Sequence, residues 1–109
     1  MLVRFVSSET GELLMYAESA GPLLRAMGKE TTRRGTFTRF EMLPAAEALR
    51  AAVARGEGGA DRAADEEEDS KVVPVSTSAR AWPLIDMLER TAKGGDKDAH
   101  IVWEAAADF

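Results

Sequence analysis

At 109 residues the chain is long enough for one domain with one core and too short for a second. It contains no cysteine, which excludes disulfides, thiolate metal sites, iron–sulfur clusters and cysteine nucleophiles together. A formal net charge of −5 argues against nucleic acid or anionic lipid as a partner for the chain as a whole, and aromatics at 6% leave the core to aliphatic side chains.

The opening LVRFVSS places Val3 and Phe5 on one face of a strand and Leu2, Arg4 and Val6 on the other. ELLMYA supplies a second strand, and the ETG between them offers Gly11 for a left-handed turn position, so a β-hairpin is predicted over 2–16. SAGPLLRAMG predicts a helix capped by Ser19 and closed by Gly28, with Leu23, Leu24 and Met27 on one face. KETTRRG, residues 29–35, has no periodicity and reads as a loop.

Thr38 and Glu41 have the T-x-x-E spacing of a capping box, and Met42, Ala46, Leu49 and Val53 follow at helical intervals, so a second helix should run to about Gly56. Residues 56–71 hold three glycines, seven acids and little to bury, which predicts a disordered acidic linker. After it, Ser76, Thr77 or Ser78 can cap a third helix whose buried stripe is Ala81, Leu84, Ile85, Leu88 and Ala92, stopped by Gly94 and Gly95. AHIVWEA alternates Ile101 and Trp103 against His100, Val102 and Glu104, as a last strand would.

The expected fold is a single two-layer α+β domain over 1–109. Its three-stranded antiparallel sheet combines the N-terminal hairpin with the C-terminal strand and carries three helices on one face, in the order ββαααβ. Pro22, Pro44 and Pro83 each stand near the start of a helix and read as one entry device used three times. Pro22 falls in the free first turn behind Ser19, while Pro44 and Pro83 are expected to follow a short first turn that redirects the chain.

MLVRF with Ser7 and Ser8, LLMYA, PLLRAMG, LPAAEAL, the acidic gap, VSTSARAWPLIDMLERTA and the closing IVW follow one another in an order that resembles the bacterial domain of unknown function family 1840 (DUF1840). The resemblance implies a short cytoplasmic bacterial protein and brings no activity, cofactor or catalytic residue with it.

No catalytic constellation is recognisable. GPLLRAMGK, residues 21–29, has the wrong glycine spacing for a phosphate-binding loop, and its lysine follows a helix instead of preceding one. His100 is the only histidine, so any acid–base pair or histidine metal site would depend on it, and Glu104 lies too far along the strand to be its direct partner. The run from Asp65 to Asp69 lacks the alternating ligand spacing of a calcium loop, and no cofactor is expected.

Charge is distributed unevenly. Residues 25–55 carry seven Lys or Arg against three Glu, with Phe37 and Phe40 interleaved among Arg33, Arg34 and Arg39, while the linker that follows is strongly acidic. The expected function is therefore a non-enzymatic, cytoplasmic protein-interaction module. Apolar residues on both hairpin faces point to a homodimer. The partner is expected to meet either the open face of the sheet, where His100, Val102 and Glu104 stand, or the basic loop, whose candidate contact residues are Lys29, Arg33, Arg34 and Arg39. The alternative is binding of RNA or another polyanion by these residues, screened by the acidic linker. No membrane span is expected, and the opening MLVRFVSSE lacks the features of a signal peptide.

Overall fold

The computed structural model describes residues 1–58 and 75–109. The elements are β1 (Leu2–Ser7), β2 (Glu12–Tyr16), α1 (Ala17–Ala26), β3 (Arg34–Thr38), α2 (Arg39–Gly58), α3 (Val75–Gly94) and β4 (His100–Ala105). The class is α+β with an antiparallel sheet and three helices, but the sheet has four strands, ordered β2-β1-β4-β3, and the element order is ββαβααβ. The acidic segment from 59 to 71, read above as a disordered linker, lies outside the described residues, and Gly56–Gly58 belong to the end of α2.

The hairpin forms as expected, with Val3 opposite Met15 and Phe5 opposite Leu13. Its turn needs no left-handed glycine, because Ser7 Oγ accepts the N–H groups of Glu9 and Thr10, each at 3.0 Å, and Ser7 N–H donates to Gly11 O. Among the described residues Gly28 alone has positive φ, so the expectation for Gly11 fails. Ser7 Oγ also shares a 2.6 Å hydrogen bond with Thr91 of α3, a fully buried residue, which ties the hairpin to the helical layer.

Helix α1 starts at once from β2, with Tyr16 in the N-cap position and no side-chain cap, so Ser19 is not the cap. The Ala17 N–H is satisfied by Met1 O at 2.9 Å, and a backbone partner thus does what a serine would have done. At the other end Gly28, with φ 80°, completes a Schellman closure: Lys29 N–H donates to Leu24 O and Gly28 N–H to Arg25 O.

The strand absent from the sequence reading is β3, which includes the end of the expected loop and part of TFTRF. Its inward positions are Gly35 and Phe37, opposite Trp103 and Ile101 of β4. A Cβ on Gly35 would overlap the Trp103 ring, so the smallest residue is what lets the indole lie across the strand. Phe37 meets the same indole with ring centroids 5.4 Å apart, and Trp103 Nε1 donates to Thr32 O at 2.9 Å. The chain after β4 extends this attachment, since Phe109 N–H donates to Thr31 O and Arg33 N–H to Asp108 Oδ1.

Thr38 is followed directly by α2, and the Glu41 carboxylate accepts both the Thr38 N–H at 2.8 Å and its hydroxyl at 3.2 Å, as a capping box requires. The whole predicted stripe of α2 is buried, and so is that of α3. All three prolines lie inside their helices: Pro22 and Pro44 each at the sixth residue, Pro83 at the ninth. The expected separate first turns before Pro44 and Pro83 are absent: α2 runs unbroken from its Thr38 cap through Pro44, and α3 begins before its supposed caps, so that Ser76, Thr77 and Ser78 are already within it. Together α1, α2 and α3 cover one face of the sheet, where Val3, Phe5, Met15, Phe37, Ile101 and Trp103 are buried.

Candidate functional site

Among the described residues no helix lies over the opposite face of the sheet. Strand alternation sends Leu2, Arg4 and Val6 of β1, Glu12, Leu14 and Tyr16 of β2, His100, Val102 and Glu104 of β4, and Arg34, Thr36 and Thr38 of β3 to this side. Register then orders them in rows across the strands. One row is Leu14, Arg4, Glu104 and Arg34; the next is Glu12, Val6, Val102 and Thr36. Leu2 and Tyr16 stand opposite each other at one end of the hairpin. Leu2, Leu14 and Tyr16 are each half exposed or more, an unusual concentration of large apolar side chains for one face of a small domain.

The charges alternate along the first row. Arg34 donates to Glu104, and Arg4 leans the other way to Glu12 at 3.5 Å. The Glu104 carboxyl is held below the usual carboxylate range, first by the hydrogen bond from Arg34, then by its charge, with a smaller pull from Arg4; partial burial opposes them. At one end of the face Leu2, Arg33, Arg34, Glu104, Ala105 and Ala106 line an open groove of about 510 Å³.

The four basic residues singled out from sequence do not form one site. Lys29 lies on the helix side of the sheet edge, where its Nζ donates to Glu41 at 2.8 Å and to Thr36 O at 3.0 Å and sits 5.0 Å from the centre of the Phe37 ring. It is a clamp between the end of α1 and the start of α2, and it lowers the Glu41 pKa chiefly through that hydrogen bond, with the Thr38 N–H next. Arg33 and Arg34 line the groove on the open side. Arg39 begins α2, half-buried, and its Nε has no hydrogen-bond partner. Of the two interleaved phenylalanines, Phe37 is core and Phe40 is 77% exposed.

The family model of DUF1840, a domain of unknown function, matches residues 1–103. The chain belongs to DUF1840. No curated protein and no solved structure matches it. The matched span begins before β1 and ends at Trp103, so it takes in the outward residues of β1, β2 and β3.

His100 of this DUF1840 chain is exposed; its backbone N–H donates to Ser8 Oγ and its ring Nδ1 lies 2.8 Å from Asp98 O. Among the described residues no group of three or more His, Asp or Glu could hold a metal ion, and no helix is long and apolar enough to cross a membrane. The outward residues that the sequence reading left out of its candidate set, Arg4, Leu14, Tyr16 and Glu104, carry a signal that could have found them. They fall one residue out of phase with the buried residues of three strands, on the side that alternation assigns to solvent, yet Leu14 and Tyr16 are too apolar for a solvated face.

Proposed function

We propose that this DUF1840 chain is a non-enzymatic interaction module of the bacterial cytoplasm, which binds a protein through the outer face of its sheet. The observation that carries the reading is the concentration of Leu2, Leu14 and Tyr16 on a face over which none of the described helices lies. Antiparallel sheets in small domains can leave one face in water, and such a face needs no large apolar side chains, yet five of the twelve outward residues here are Leu2, Val6, Leu14, Tyr16 and Val102. Here apolar side chains flank a row of alternating charge, so the face offers contact area together with a charge pattern that can select and orient a partner. Polyanion binding by Lys29, Arg33, Arg34 and Arg39 has less support, since Lys29 and Arg34 are already paired with carboxylates and lie on different sides of the sheet.

A photo-reactive amino acid placed at Leu14 tests the reading in the living cell. A protein adduct at Leu14, with none from the same group at exposed Ala54 of α2, is the expected result. Equal labelling at both positions, or none at Leu14, overturns it.

A further inference from the structure

Strand register makes the outer face complementary in charge to a second copy of itself. We propose that the partner is a second copy of this chain, docked face to face about a two-fold axis running along the strands midway between β1 and β4. This deepens the interaction reading above and rests on it.

The pattern follows from the register. β1 and β4 are the central strands, with Arg4 opposite Glu104 and Val6 opposite Val102. A two-fold axis between them exchanges β1 with β4 and β2 with β3 while preserving position along the strands. It therefore lays Arg4 on the second copy's Glu104 and Val6 on the second copy's Val102, and each of these contacts occurs twice. On the flanks Leu14 meets the aliphatic stem of Arg34, and Glu12 meets Thr36. Leu2 of each copy is carried toward the groove that Arg33, Arg34, Glu104 and Ala106 line on the other.

The competing orientation, with the axis across the strands, superposes each strand on its own copy. Arg4 then faces either Arg4 or Val6, which sets like charges together or buries a charge on an apolar side chain. Sheets stacked face to face keep their strands within about 30° of parallel, which the favoured axis allows. Arg4 is free to change partner, because it is half exposed and its contact with Glu12 is long.

The area sets the strength. Four strands about 4.8 Å apart and five or six residues long make a face roughly 18 Å square, about 320 Å² on each copy and below the area of a standard specific interface. Self-association is therefore expected to be weak and transient, with a dissociation constant on the order of 0.1 mM.

The test uses the full chain in sedimentation equilibrium. Arg4→Glu alone places a carboxylate on the second copy's Glu104 twice over, and Glu104→Arg alone does the same with two arginines. Each should weaken self-association by about tenfold or more. A mixture of the two variants should form a heterodimer within about threefold of the wild-type affinity, because both pairs are then opposite in sign. Arg4 and Glu104 are also neighbours within one chain, so only the mixture, and not the double variant, isolates the contact between copies.

Thr36→Arg, facing the second copy's Glu12, should tighten association by about threefold, a gain that misfolding cannot imitate. Variants that dimerise as well as wild type would overturn the proposal, as pairing along the free edges of β2 or β3 would then be the contact. So would a mixture that stays monomeric although both variants keep the wild-type circular dichroism. A wild-type chain that is monomeric up to about 1 mM while Leu14 still cross-links to a different protein overturns self-association and leaves the interaction reading standing. Absence of both overturns both.

Discussion

The two faces of the sheet are built from the same strands, one residue out of phase, and they follow opposite rules. The inner face is closed by shape: Phe5, Phe37 and Ile101 are fully buried, and Gly35 makes room for the Trp103 ring. The outer face is ordered by sign, with arginines and glutamates alternating across the strands and apolar side chains left half exposed around them. A single strand thus carries the packing pattern at its odd positions and the outward pattern at its even ones, as β1 does with Val3 and Phe5 against Arg4 and Val6. The inner face determines whether the chain folds; the outer face is where substitutions should change association without changing the fold.

The sharpest way to break this contrast is to truncate one residue on each face. Phe5→Ala should cost about 3–5 kcal/mol in denaturant unfolding, a large share of the stability of a domain this size. Leu14→Ala, equally apolar but 50% exposed, should cost less than about 1 kcal/mol at dilute concentration. Comparable losses at the two positions would show that the outer face belongs to the core. Next in size is Gly35→Ala, which forces a methyl group into the Trp103 ring and should cost about 1–3 kcal/mol, with a shift in the aromatic proton resonances of Trp103.

The smallest effect concerns Lys29, which serves the inner layer from the sheet edge. Because Glu41 has a folded pKa below that of the unfolded chain, its ionisation adds stability above the ordinary carboxylate range. That contribution is lost as pH falls through the lowered folded value. Lys29→Met should bring the Glu41 carboxyl titration, followed by NMR, back toward the ordinary range. The same substitution should lower the melting temperature slightly at neutral pH and hardly at all in acid. An unchanged Glu41 titration would show that the Thr38 N–H alone sets the carboxyl's affinity for protons.

How much of this was legible in the sequence differs between the same two faces. The hairpin, the stripes of α2 and α3 and the inward Ile101 and Trp103 follow from periodicity, because burial against helices repeats at fixed intervals. β3 was illegible for a specific reason: of its two inward residues one is glycine, so RGTFT shows one apolar side chain and no alternation, and the Thr38–Glu41 cap drew TFTRF into the helix. Ser19 misled because the first N–H of α1 is satisfied by a distant backbone carbonyl at Met1, a partner that no local pattern announces. The charge rows were hidden for a related reason. Arg4, Glu104 and Arg34 are far apart in the chain and become neighbours only through strand register, which in turn required β3. The basic cluster in the sequence dispersed on folding because strand alternation and the Lys29 clamp sent its members to different sides.

The two tryptophans give the chain a pair of built-in optical probes. Trp103, 2% exposed and bonded through its indole N–H to Thr32, should emit toward the blue and resist acrylamide quenching until the sheet opens. Trp82, 46% exposed with the Arg50 guanidinium 5.9 Å from its ring centre, should emit toward the red and quench freely. Excitation at a single wavelength therefore reads the sheet and the helical surface separately, without any attached dye.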